Sequence, residues 1–242
     1  MSQATKAAIA QAKDVHIRSG DVQLRGDLSI PDGAQGVVLF AHGSGSSRHS
    51  PRNQFVARTI REAGVGTLLF DLLTREEESV DIQTAHLRFD IGLLATRLID
   101  ATYWIKAELD YLSVGYFGSS TGGGAALVAA AQLGDTVGAV VSRGGRPDLA
   151  GDALPKVQSP TLLIVGGLDY PVIEMNRAAL ARLRCEKEMK IVPGATHLFE
   201  EPGTLEQVAD VAADWFQKQL VTGRLVSEPG AVAKGSSTQG AH

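Results

Sequence analysis

From residue 36 to 220, short apolar runs alternate with longer stretches of helical spacing. Gly36–Ala41 (GVVLFA), Val65–Phe70, Val114–Phe117, Val137–Ser142, Thr161–Val165 and Lys187–Val192 read as strands. Asn53–Glu62, about Leu87–Leu109, the alanine-rich run after Gly122, Val172–Leu183 and Leu205–Leu220 read as helices. A strand that is apolar throughout must be covered on both faces. Parallel neighbours also need a crossover of a dozen or more residues, usually a helix. The alternation therefore predicts an α/β fold: a doubly wound, mostly parallel sheet with helices on both faces. Val15–Arg18 and Val22–Ser29 flank Ser19-Gly20-Asp21 and predict an opening hairpin. The polar segment Thr74–Asp90 (TREEESVDIQTAHLRFD) is expected on the surface.

No break in composition marks a second domain. Residues 14–220 are expected to form one domain, with an N-terminal extension (1–13) and a disordered C-terminal tail (221–242, rich in Gly, Ser and Ala). The chain has 242 residues, with 44% hydrophobic and 21% charged, as in an ordinary globular protein. A net charge of −4 gives no basic footprint, so nucleic acid is not an expected partner. The single Cys185 excludes an internal disulfide and a cysteine metal cluster. No apolar run reaches the roughly 18–20 residues of a membrane span. The start, MSQATKAAIAQAKD, lacks the apolar core of a secretory signal, so a cytoplasmic location without membrane attachment is expected.

In parallel sheets of this kind the working groups gather beyond the C-terminal ends of the strands. After Phe117 comes Gly118-Ser119-Ser120-Thr121-Gly122, a match to G-x-S-x-G. Such a turn holds its serine in a strained conformation at a helix N-terminus, and small neighbours let the chain pass close. Ser120 has glycines two residues away on both sides; Ser119 has Phe117 and Thr121 there. A phosphate loop is excluded, because Gly124-Ala125 stands where Lys-Ser/Thr is needed. A dinucleotide G-x-G-x-x-G fails as well, since its third glycine would fall on Leu127.

Three other loops supply partners. HGSGSS follows the strand ending at Ala41, and an oxyanion hole takes one amide from such a loop. Ser44 is the expected donor, Gly43 its neighbouring possibility, and Thr121 supplies the other amide. His42 reads as a structural brace. Asp169 follows the strand ending at Val165; taken alone, with Pro171 just inside a helix, it reads as a helix cap. His197 follows the strand ending at Val192, in PGATH. Ser120, Asp169 and His197 occur in the chain order Ser, Asp, His, which differs from the orders of chymotrypsin and subtilisin. Asp71, at another strand end, is the alternative acid for His197. Arg48 and Arg143 sit on loops near the same rim and could together receive a carboxylate or phosphate. Glu200 and Glu201 are expected to be solvated or to cap the last helix.

HGSG (42–45), GSSTG (118–122), GGLD (166–169) and GATH (194–197) resemble the α/β-hydrolase superfamily over about residues 14–220. The chain is most similar to its dienelactone-hydrolase-like branch, and the short Gly144–Pro160 connection leaves no room for a large cap. The resemblance implies an eight-stranded sheet with an antiparallel second strand, and hydrolysis without a cofactor. Dienelactone hydrolases proper use a cysteine where this chain has Ser120, which favours the serine esterases of the wider group. The expected activity is cleavage of a small-molecule carboxylic ester through an acyl-enzyme. A non-catalytic binding module on the same scaffold, or acyl transfer by the same residues, are the alternatives.

Overall fold

The structure, a computed structural model, describes residues 12–222. The chain forms β1 (Lys13–Ser19), β2 (Val22–Ser29), β3 (Gly36–Ala41), α1 (Pro51–Glu62), β4 (Gly66–Phe70), α2 (Arg75–Thr84) and α3 (Ile91–Glu108). It continues with β5 (Ser113–Ser119), α4 (Thr121–Leu133), β6 (Val137–Arg143), β7 (Thr161–Gly166), α5 (Tyr170–Arg182), β8 (Lys187–Val192) and α6 (Thr204–Phe216). The eight strands make one sheet in the order β1-β2-β4-β3-β5-β6-β7-β8. β2 runs antiparallel to β1 and β4, and the other pairs are parallel. This is the expected doubly wound sheet. The expected extension and tail lie almost wholly outside the described residues. At the margins, Lys13 already pairs in β1, and residues 217–222 form a π-helical turn after α6.

The burial of each strand follows its place in the sheet. β3 and β4 are buried at every residue, as central strands covered on both faces must be. β1, at one edge, alternates exposed and buried positions. β8, at the other edge, exposes Lys187, Glu188 and Lys190, charges that discourage edge-to-edge pairing. One face packs Leu39, Leu68, Tyr116, Val140 and Leu163 against residues of α3, α4 and α5. The opposite face packs Val38, Phe40, Phe117, Val141 and Ile164 against α1 and α6. The β6–β7 connection contains only a short 3₁₀ segment, Pro147–Lys156, so no large cap is present among the described residues.

α2 is the element that apolar spacing does not announce. Of its residues only Asp81 is buried, so no apolar stripe exists to be read. Its start is fixed by a capping box: Thr74 Oγ1 accepts from Glu77 N (3.2 Å) and Glu77 Oε2 accepts from Thr74 N (2.8 Å). Three acids in the first turn suit the helix dipole. Ion pairs anchor it, Arg97 to Glu77 at 2.7 Å and Arg88 to Asp81 at 2.6 Å. Among the described residues, no helix is long and apolar enough to cross a membrane.

Candidate active site

Ser120 lies between β5 and α4 with φ 50° and ψ −120°, a region that side-chain-bearing residues rarely enter. The surroundings hold it there. Its amide donates to Arg143 O (3.3 Å), and its carbonyl accepts from Gly123 N and Arg146 N (both 3.0 Å). The strain presents the side chain at the helix N-terminus. Ser119 turns the other way and donates to Asn53 Oδ1 of α1 (3.2 Å) in a buried contact.

The turn also needs Gly122. A Cβ there would lie 2.1 Å from Ala41 O and 2.7 Å from His42 O, both backbone atoms that cannot swing aside. Gly122→Ala is therefore expected to lower stability by at least about 3 kcal/mol, read as a fall in the urea midpoint. Gly43 is less severely confined: a Cβ there would meet Ser119 O and the Ser120 Cβ at 3.2 Å, a tight contact and not an outright clash. The two turns that carry Ser44 and Ser120 are thus in van der Waals contact. Ser44 Oγ and Thr121 Oγ1 are hydrogen-bonded at 3.1 Å. Thr121 is the first residue of α4, where amides have no partner inside the helix.

His42 braces this loop. Its Nε2 accepts from Leu72 N (3.1 Å), so Nδ1 carries the proton and donates to Gly43 O (3.1 Å). Burial keeps its pKa below the ordinary histidine value. The folded state thus holds a neutral imidazole, and acid below the ordinary histidine range works against it.

Asp169 occupies the N-cap position of α5, yet its side chain makes no capping bond. Its Oδ2 lies 2.6 Å from His197 Nδ1. The two loops are joined by backbone hydrogen bonds, Leu168 N to Ala195 O (2.9 Å) and Gly167 N to Val192 O (2.8 Å). Asp71, the alternative acid, is engaged elsewhere: it accepts from the Arg48 backbone amide (2.9 Å) and from the Arg48 guanidinium.

A cavity of about 240 Å³ brings together Gly43, Ser44, Ser120, Arg143, His197 and Leu198. Arg48 is not in its wall. The expected pairing of Arg48 with Arg143 is corrected by the structure, because Arg48 spends its charge on Asp71 and, at 3.3 Å, on Asp27. It ties the loop after β3 to β2 and β4. Arg143 remains, 7% exposed, with Nε and Nη1 lacking a hydrogen-bond partner. Burial, and then the nearby Arg52 charge, lower its pKa to about 10. Its guanidinium sits 5.7 Å from the centre of the Phe199 ring. Phe199 is buried with φ 56° and follows the His197 loop, a role no sequence pattern signalled. Glu201 neither caps the last helix nor stands free: it accepts from Thr196 N and Oγ1 (3.1 and 2.6 Å) and so fixes the residue before His197. Glu200 pairs with Arg52 at 3.2 Å. Among the described residues, no group of three His, Cys, Asp or Glu could hold a metal ion.

The dienelactone hydrolase family model matches residues 24–222. The chain belongs to this family. It is 61% identical to a dienelactone hydrolase from Anabaena variabilis, covering 87% of this chain and 98% of that one, with a TM-score of 0.85. At 18% identity, Est1E from Butyrivibrio proteoclasticus shares the fold (TM-score 0.72, covering 85% of this chain and 98% of that one). A Mycobacterium tuberculosis protein provisionally named a phosphoribosyl transferase is 58% identical over 210 residues. That match takes in 86% of this chain and 46% of the relative, so the chain spans about half the length of the curated relatives it matches. Family membership and the shared architecture give this chain the α/β-hydrolase fold.

Proposed function

We propose that this chain is a serine esterase: Ser120 is the nucleophile, His197 its base and Asp169 the residue that orients His197. The observation that carries the reading is the strained Ser120 in one cavity with His197, whose far nitrogen is held by Asp169. A carboxylate only accepts hydrogen bonds, so Asp169 keeps the proton on His197 Nδ1 and leaves the Nε2 lone pair for the serine proton. Ser120 Oγ then attacks the ester carbonyl. The Ser44 and Thr121 amides receive the developing oxyanion. His197 passes the proton to the leaving alcohol, and water, activated by the same imidazole, releases the acid.

The name of the Anabaena relative supports hydrolysis. The transferase name of the M. tuberculosis relatives favours no second reading, because more than half of their length has no counterpart here. A fluorophosphonate probe is expected to label the folded protein at Ser120, located by mass spectrometry of the labelled peptide. Folded protein that takes up no label overturns the reading.

A further inference from the structure

The glycines around Ser120 exceed what its own turn requires. Gly123 and Gly124 follow Gly122, and Gly144-Gly145 stand just after β6. A Cβ on Gly123 would lie 3.1 Å from Gly145 Cα, and one on Gly124 would lie 2.9 Å from Arg146 O. Gly144 has φ 50°, and a Cβ on it would meet His197 O at 3.2 Å and His197 Cε1 at 3.6 Å. Residues 144–146 therefore run as a backbone strap between the first turn of α4 and the His197 loop.

The strap is also bonded to the nucleophile turn. Arg146 N donates to Ser120 O (3.0 Å), and Gly144 N donates to Ile164 O of β7 (2.7 Å). One end of the strap holds Ser120 while the other rests against His197. Its position thus governs how Ser120 Oγ stands to the imidazole.

A single buried side chain of α5 reaches this strap. Asn176 is 0% exposed, and its Nδ2 donates to Gly145 O (3.0 Å) and to Val172 O (2.8 Å). Neither helix formation nor packing calls for asparagine there. It is a weak helix former, and its Oδ1 is buried without a partner, a cost that an apolar residue would not carry. Positions that break local rules in this way are expected at functional sites. Asp169 occupies the N-cap of the same helix, about two turns or 10 Å before Asn176. The helix that carries the acid is thereby tied to the strap that seats Ser120 and His197.

We propose that Asn176 is a positioning residue for proton transfer between Ser120 and His197, acting through Gly145 O on the strap. The inference rests on the serine-esterase reading. Being fully buried, Asn176 acts only through the backbone it holds. A displacement of about 1 Å in a reacting geometry can cost about 10²-fold in rate, so one hydrogen bond suffices for a large effect.

The test uses three variants. Asn176→Leu removes both hydrogen bonds. Asn176→Thr loses Gly145 O alone, because a hydroxyl on a helix can still reach the carbonyl of Val172 one turn back. Ala179→Gly, at a buried position of the same helix, weakens α5 and leaves the Asn176 bonds in place. Hydrolysis of p-nitrophenyl butyrate is measured per active site, counted by the fluorophosphonate bound at completion, so the rates do not depend on the fraction folded. Acylation and deacylation pass a proton between the same two residues, so both slow together. Both Asn176 variants are expected to lower kcat per site by about 10- to 100-fold with KM little changed, and to slow the labelling of Ser120 in proportion. Ala179→Gly is expected to lower the unfolding midpoint and to leave kcat per site unaltered. The inference is overturned if the Asn176 variants keep the unaltered kcat per site, if their loss lies in KM alone, or if Ala179→Gly lowers kcat as much. Failure of both Asn176 variants to fold makes the residue structural and overturns it as well. If the unaltered protein is labelled at Ser120 and the Asn176 variants match its kcat, the inference falls and the esterase reading stands. If the unaltered protein is neither labelled nor active, both fall.

Discussion

Ser120→Ala is expected to lower kcat for ester cleavage by about 10⁶-fold, the scale on which loss of a serine nucleophile is felt elsewhere. It is also expected to abolish labelling by a fluorophosphonate. The substitution isolates the hydroxyl. Alanine keeps the Cβ, so the strained turn at φ 50° and the backbone bonds to Arg143, Gly123 and Arg146 are unaltered. Thermal unfolding should therefore match that of the unaltered protein. A loss of activity with an unchanged midpoint assigns the chemistry to Ser120 Oγ. Retained turnover in the pure variant would exclude Ser120 as the nucleophile.

Ser120 could be singled out in the sequence because its geometry depends on small residues at fixed positions. Gly122 must be glycine to clear the Ala41 and His42 carbonyls, and that need leaves a mark in the chain. The sheet was legible for a similar reason. Strands buried on both faces, such as β3 and β4, must be apolar at nearly every position. The turn at Ser19-Gly20-Asp21 set β2 antiparallel to β1, but its antiparallel place beside the parallel strands came only through the family resemblance, since periodicity carries no direction.

What escaped the sequence was of another kind. α2 has no apolar stripe, because it is attached by Glu77–Arg97 and Asp81–Arg88 and not by packing. Its one local sign was the capping box Thr74-x-x-Glu77. Arginine roles were unreadable because they depend on which acids come near in space. Arg48 lies in the loop after β3 and Arg143 ends β6, yet Arg48 meets Asp27 and Asp71 while Arg143 meets no acid among the described residues. Asp27 is 21 residues before Arg48 and on another strand, so no local pattern links them. The same holds for Glu201, whose hold on Thr196 follows from the fold of one short loop.

Asp169→Asn tests whether the acid governs the proton on His197, and a fall in kcat of about 10⁴-fold at neutral pH is expected. The 2.6 Å contact between Oδ2 and Nδ1 requires one proton between them. With a carboxylate, that proton can come only from the imidazole. An amide of the same shape can present its NH₂ group instead, and it then stabilises the tautomer with the proton on Nε2. In that tautomer His197 has no lone pair for the serine hydroxyl, although every heavy atom is in place. Loss of the negative charge also removes the partner of the imidazolium formed during attack. Asp71→Asn is the control for the alternative acid. It disturbs the Arg48 anchor and so lowers stability, whereas Asp169→Asn removes activity with little change in the unfolding midpoint. If instead Asp71→Asn removed activity at unchanged stability, and Asp169→Asn left turnover intact, the acid would have to be reassigned.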